Sequence, residues 1–320
     1  MTDEQAPQAT PATQPESAAQ SSTVSMFSDQ LADAVERASR SLVTIAARPR
    51  QSATGVLWQA GDEVVIVTAD HVVEREDDIA VTLPDGGQAR ATLAGRDPST
   101  DLAVLRLTSV SGLTAIEVSD HLRVGSLALA VGRPTEGGPR VSFGVVSAIE
   151  GPRRSWQGAQ IEGVIYADVT LYPGFSGGPL VDLEGRLVGL NSSRLTRQSA
   201  ALPVATIRRV VSTLLTHGRV RRGYLGVATQ QVPLSAAFAQ AAGVSQSTGL
   251  LVVTVEGDSP AERGGLIIGD IIVTVSGQPS TSVDALRAAL GATAPGQPLT
   301  ARALRGGQPV DVTLIVGERD

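Results

Sequence analysis

One serine in this sequence stands among glycines, in Pro173-Gly174-Phe175-Ser176-Gly177-Gly178-Pro179-Leu180. Gly174 on one side and Gly177-Gly178 on the other free the backbone for conformations closed to other residues. That freedom exposes the hydroxyl and turns two amides toward one point. Acyl transfer needs this combination: a nucleophile beside N–H donors for the developing oxyanion, each donor worth about 3–4 kcal/mol in comparable sites. The backbone N–H groups of Gly174 and Ser176 are the expected donors. A glycine-rich hairpin with a surface serine is the plainer alternative. A nucleophilic serine also needs a base, and His71 ends the apolar run Val67-Thr68-Ala69-Asp70-His71, where a strand presents it rigidly. An ordinary imidazole titrates at about pH 6.5 and is mostly neutral at pH 7, as a general base must be. His121 and His217 sit in polar, turn-like or helix-end contexts and are expected to be solvated. The third partner is a carboxylate that fixes the imidazole tautomer. Asp101 opens the apolar strand Asp101-Leu102-Ala103-Val104-Leu105-Arg106-Leu107 and ranks first. Asp97 lies in the preceding turn, where Asp is common for its own hydrogen bonding, and Asp70 is too close to the histidine to reach its far nitrogen easily.

Composition narrows the chemistry to the same residue types. Among 320 residues the 26 cations are all arginine, there is no cysteine, and three histidines complete the set. Schiff-base and pyridoxal-phosphate enzymes, phosphate-loop lysines, Ser-Lys dyads, thiol nucleophiles, disulfides and thiolate metal sites are excluded. No cofactor or metal is expected. Aromatics at 3% and a net charge of −6 argue against nucleic-acid partners, which call for stacking platforms and basic surfaces. No apolar run reaches the length of a membrane-spanning helix, and residues 1–23 lack the apolar core of a secretory signal. The expected location is therefore cytoplasmic, with export from an upstream start as the alternative.

The elements that must position these residues follow from periodicity. Residues 1–25, rich in Ala, Gln, Pro, Ser and Thr, bury too little surface to offset their ordering entropy and read as a disordered tail. Phe27, Leu31, Val35 and Ala38 follow helical spacing. From Leu42 to about Val204, short apolar runs bounded by Gly, Pro, Asp and Ser imply an all-β barrel or sandwich unit. Ile207, Val210, Val211, Leu214 and Leu215 return to helical spacing, and Gly218 is placed to stop that helix. Strands near 223–230, 249–256, 270–276, 299–305 and 310–316, with helices near 234–242, 259–264 and 282–291, make a second, small α+β domain. The expected domains are 26–218 and 219–320.

The order His, Asp, Ser and the segments TADHVV, DLAVLRL and GFSGGPLVDLEGRLVGLNS resemble the trypsin-like proteases of the HtrA/Deg group. The resemblance runs from about Phe27 to the C-terminus and implies a mainly β, chymotrypsin-like protease domain of two six-stranded barrels. Tyr224-Leu225-Gly226-Val227, Ser259-Pro260-Ala261-Glu262-Arg263-Gly264-Gly265-Leu266 and Gly269-Asp270-Ile271-Ile272 are similar to a PDZ domain of the kind these proteases carry. Amides at Leu225, Gly226 and Val227 would cap a peptide's terminal carboxylate beside Tyr224, with charge from Arg221 or Arg222, while the peptide adds as a strand to the sheet. The plain alternative is that YLGV is only a strand. By the same resemblance Leu171 and Leu190 border the pocket for the residue before the cut, with Asn191 and Ser192 beside it; Leu171 and Leu190 serve equally well as barrel core.

The match departs from the family in several places. Phe175 replaces the usual Asn and puts a bulky apolar group beside the nucleophile, which narrows the leaving side of the site. Asn191 to Gln198 forms a shorter specificity loop, and Thr170 stands where trypsin-like enzymes place an acid to select Arg or Lys. Gly151 to Gly158, with Trp156, matches a regulatory loop, or is a basic surface loop. Phe27 falls where relatives place aromatics that hold a homotrimer together, or packs on its own barrel.

The resemblance implies a serine endopeptidase of protein quality control that cleaves unfolded or damaged proteins through an acyl-enzyme at Ser176, with His71 as base and Asp101 orienting it. The alternative is a catalytically silent scaffold or chaperone that binds peptides through its PDZ domain. For the enzyme, proteolysis is expected to fall with acid as the histidine base takes up a proton. A rate that stays constant between about pH 5 and 8 in a peptide-cleavage assay contradicts a histidine base.

Overall fold

In the computed structural model, residues 16–318 are described apart from 50, 109, 111, 136, 156–158, 197, 221 and 222. Trp156, Arg221 and Arg222 therefore lie outside the described residues. The chain forms two compact units. One holds the residues up to Ala94 with Asp101–Gly151 and Gly163–Val211; the other holds Gly95–Thr100, Pro152–Glu162 and the residues from Ser212 on. Among the described residues, no helix is long and apolar enough to cross a membrane.

The first unit opens with helix α1 (Glu16–Ser39), whose Ala34 and Ala38 are fully buried. This helix includes residues 16–25, which composition assigns to a disordered tail. The anchored face from Leu31 to Ala38 supplies the costly nucleus, and the Ala-, Glu- and Gln-containing stretch before it extends the helix cheaply, with residues 22–30 exposed.

Strands β1 (Leu42–Ala46), β2 (Ala53–Ala60), β3 (Glu63–Ala69), β4 (Ile79–Thr82), β5 (Gln88–Asp97) and β6 (Leu102–Leu107) close a barrel in the order β1-β2-β3-β6-β5-β4. Alternation drives its closure: Val43 and Ile45, Ile79 and Val81, and Ala103 and Leu105 point into one core with Leu57 and Ile66. A second barrel begins with β7 (Leu127–Gly132) and β8 (Arg140–Glu150). The hairpin β9 (Arg153–Arg154) and β10 (Gln160–Ile161), part of the other unit, interrupts it. The barrel is completed by β11 (Val164–Ala167), β12 (Pro179–Val181), β13 (Leu187–Ser192) and β14 (Ala200–Pro203), in the order β11-β14-β13-β12-β7-β8. These are the two six-stranded barrels that the resemblance implies. Helix α2 (Val204–His217) follows and stops at Gly218, whose φ of +72° suits glycine and whose N–H donates to Leu214 O at 2.8 Å.

The second unit carries β15 (Gly223–Tyr224), β16 (Val227–Pro233), α3 (Ala236–Ala242), β17 (Thr248–Val255), α4 (Pro260–Arg263) and β18 (Ile271–Val275). It continues with β19 (Gln278–Pro279), α5 (Val283–Ala292), β20 (Pro298–Arg305), β21 (Gln308–Ile315) and β22 (Gly317–Glu318). Its main sheet runs β16-β17-β18-β20-β21, with β19 paired to β18, and β15 pairs with β22. Each helix starts on a serine cap: Ser235, Ser259 and Ser282 accept hydrogen bonds from the N–H groups of Phe238, Glu262 and Ala285.

One ion pair ties this sheet to its turns. Asp270 is fully buried and takes a fork from Arg305, Nε to Oδ1 at 2.9 Å and Nη2 to Oδ2 at 2.8 Å. Oδ2 also accepts the Ile267 N–H at 3.0 Å, and Arg305 Nη2 donates to Gly265 O at 2.7 Å. The bond to Asp270 raises the Arg305 guanidinium pKa above its ordinary value. Asp270→Ala strands these donors, and the unfolding free energy of this unit is expected to drop by about 3 kcal/mol. Thermal or denaturant unfolding measures this; a transition that does not move contradicts it.

Candidate active site

Strand β3 ends at Ala69, and a single helical turn, Asp70–Val72, carries His71. Strand β6 pairs with β3, so Asp101, just ahead of β6, arrives beside that turn, and its carbonyl accepts the Asp70 N–H at 3.0 Å. Asp101 takes a left-handed φ of +57°, a conformation costing about 1 kcal/mol for a residue with a side chain and better tolerated by Asp than by most. Asp101 is 6% exposed. Its Oδ1 accepts the His71 backbone N–H at 3.0 Å, and the His71 ring Nδ1 lies 2.9 Å from Oδ1 and 2.8 Å from Oδ2. A carboxylate only accepts, so in the neutral ring Nδ1 carries the proton and Nε2 keeps its lone pair. That is the tautomer a general base needs.

Ser176 is mounted on a turn rather than a strand. Tyr172-Pro173-Gly174-Phe175 closes through the Phe175 N–H to Tyr172 O at 3.0 Å, with proline second and Gly174 third at φ +87°, the pattern of a type II turn. A Cβ on Gly174 would lie 2.4 Å from Pro134 Cβ, and one on Gly177, at φ +84°, would lie 2.2 Å from Thr68 Oγ1. Both positions require glycine. Thr54 Oγ1, on β2, donates to Gly174 O at 2.7 Å and accepts the Arg133 N–H at 2.8 Å, joining the first barrel to the turn that carries Ser176. The N–H groups of Phe175, Gly177 and Gly178 go to Tyr172, Asn191 and Phe175 carbonyls. Among the described residues, those of Gly174 and Ser176 have no acceptor, which leaves free the two donors named from the sequence.

The Ser176 hydroxyl is turned to Ser193. It lies 3.1 Å from Ser193 Oγ and accepts the Ser193 N–H at 3.3 Å. Among the described residues it makes no hydrogen bond to His71. The pair His71–Asp101 is thus formed, and Ser176 stands beside Ser193.

Several side chains that the resemblance sets against the substrate face inward, as the barrel-core alternative has it for Leu190. Leu190 is 1% exposed in the barrel wall. Asn191, also 1% exposed, donates from Nδ2 to Pro179 O at 2.8 Å and braces the β12–β13 pair. Ser192 is fully buried, and its hydroxyl donates to Asp101 Oδ2. Leu171 is half-buried against the second-barrel core. Phe175 does not narrow the leaving side: it is fully buried in that core, against Gly132 and edge-on to Tyr172 at 5.4 Å between ring centres. An apolar ring next to a tight turn gains more from the core than from the cleft. His121 and His217 are exposed. Sequence reasoning missed the hydroxyl contacts of Thr54, Ser192 and Ser193; only Ser192, one position past a buried strand residue, carried a signal.

In the second unit, Tyr224 belongs to β15 and its hydroxyl donates to Glu256 Oε2. The Leu225 side chain is core, Gly226 has φ +78°, and Val227 opens β16 opposite Val255. Among the described residues, the N–H groups of Leu225 and Gly226 have no acceptor.

Residues 53–190 match the trypsin-like peptidase domain family and residues 223–316 the PDZ domain family. The periplasmic serine endoprotease DegP of Escherichia coli K12 is 35% identical over 269 residues, which cover 82% of this chain and 56% of that protein. A probable periplasmic DegP-like endoprotease of Halomonas elongata is 36% identical over 260 residues, 79% of this chain and 54% of that protein. The chain thus spans just over half the length of these relatives. Among solved structures, the HtrA-type protease AlgW with a decapeptide superposes with a TM-score of 0.70 at 30% identity, covering 91% of this chain and 99% of that one. The serine endoprotease from Yersinia pestis gives 0.71 at 29% identity, over 91% and 98%. With a trypsin-like peptidase domain, one PDZ domain and this likeness over its length, the chain belongs to the HtrA-type serine proteases.

Proposed function

We propose that this chain is a serine endopeptidase in which His71, Asp101 and Ser176 form a catalytic triad. The observation that carries the reading is the His71 ring held by Nδ1 against a buried carboxylate, beside a glycine-mounted serine. Ser176 Oγ attacks the scissile carbonyl while His71 Nε2 takes its proton, and Asp101 stabilises the imidazolium that forms. The free N–H groups of Gly174 and Ser176 bind the oxyanion. The imidazolium then protonates the leaving amine, and a water activated by the same ring hydrolyses the acyl-enzyme.

The protease domain is taken as 26–218 and the PDZ domain as 219–320. Leu225 and Gly226 amides support capture of peptide C-termini, and β16, an edge strand with α5 beside it, offers the edge on which such a peptide adds. Relatives named as periplasmic serine endoproteases support the exported rather than the cytoplasmic location, and the family resemblance carries the reading of unfolded or damaged proteins as substrates in quality control. Phe27 and Phe143 meet edge-on at 6.3 Å yet stay 38% and 45% exposed, which supports a homotrimer closed over these rings.

Ser176→Ala is expected to abolish both casein degradation and labelling by a fluorophosphonate probe with the fold intact by circular dichroism; wild-type protein that never labels overturns the triad and leaves the peptide-binding scaffold. Ser192→Ala removes one donor from Asp101 and is expected to lower kcat about tenfold with little change in KM, read by steady-state peptide cleavage.

A further inference from the structure

The hydroxyl of Ser176 spends its hydrogen bonds in a direction that attack on a carbonyl does not use. Both contacts go to one residue, Ser193: the two hydroxyl oxygens are 3.1 Å apart, and the Ser193 N–H points at Ser176 Oγ from 3.3 Å. A serine hydroxyl has one proton and two lone pairs. If Ser176 donates to Ser193 Oγ, its proton faces away from the His71 imidazole that must receive it. If it accepts from the Ser193 hydroxyl, both lone pairs are engaged and the attacking pair is tied up. Either arrangement lowers nucleophilicity, so the conclusion holds whichever oxygen carries the shared proton.

The segment that does this also touches the other end of the catalytic line. Ser192, fully buried at the end of β13, donates to Asp101, and the Arg194 N–H donates back to Ser192 Oγ at 3.0 Å. That bond fixes the turn on which the next residue, Ser193, emerges exposed. A turn anchored on the carboxylate thereby holds the nucleophile.

Resting on the triad proposed above, we infer that Ser193 is a positioning residue that parks the Ser176 hydroxyl off the imidazole in the unliganded enzyme. Its exposure lets a bound peptide's carbonyl take the Ser193 donors, and Ser176 then swings to His71. Activity is restrained by a hydrogen bond that substrate itself displaces.

The test uses the full chain and the second-order rate of fluorophosphonate labelling from pH 5 to 9. Ser193→Ala is expected to label about three- to tenfold faster, the range set by losing one net hydrogen bond. The acid midpoint should stay where the wild type has it while the plateau rises, and Ser193→Thr, which keeps the hydroxyl, should label at the wild-type rate. A merely structural residue lowers the rate and the melting temperature together, and Ser193→Gly repeats the measurement should the alanine variant melt early. If wild type labels and both Ser193→Ala and Ser193→Gly label no faster, parking is overturned and the triad stands. If wild type does not label, or Ser176→Ala does, the triad itself fails and parking fails with it.

Discussion

A carboxylate taken out of water must be given donors, and Asp101 receives them from both barrels. The first barrel supplies the His71 backbone N–H and ring Nδ1; the second supplies the Ser192 hydroxyl. An uncompensated charge at a site only 6% exposed would cost several kcal/mol, so this convergence constrains the whole first unit. Strand β3 must stop where it does, β6 must pair beside it, and β13 must end one residue short of Ser193. Thr54 repeats the principle on a neutral scale: a single hydroxyl gives one bond and takes one, and both partners lie across the barrel boundary.

Much of this was legible in the sequence because it is local. Strand alternation, the glycines around Ser176 and the helix stop at Gly218 depend on near neighbours in the chain. The residues read as base and carboxylate flank strongly apolar strands, where pattern is loudest, and the serine read as nucleophile is marked by the glycines of its turn. What escaped depends on partners far away in sequence. Phe175 goes into the core because Gly132 leaves room for its ring, and no reading of residues 173–178 shows that gap. Ser192 turns inward toward a residue 91 positions earlier. Residues 16–25 are helical through the anchored face that follows them, whereas their own composition favours disorder.

The absence of lysine also has a structural counterpart. Arg305 and Asp270, Arg302 and Asp311, and Arg106 and Glu63 each meet through Nε and Nη2 on two carboxylate oxygens. The bond raises the pKa of each guanidinium, and Arg302 lowers that of Asp311. A lysine ammonium lacks the planar fork and could not reproduce these contacts. Two of the three pairs are at the surface and add little to stability, while the Asp270 pair is the one the second unit is built around.

The span from Asp101 to Ser192 carries a consequence for the life of the polypeptide during synthesis. No fragment that ends before the second barrel contains the hydroxyl that completes the buried carboxylate, and none ending before Ser176 contains the serine of the proposed triad. Contacts of such long sequence separation close late, after the loop entropy between them has been overcome. On the proposed triad, competence to cut is therefore a property of the finished fold, and a half-folded chain is an unarmed one, which protects both itself and its neighbours.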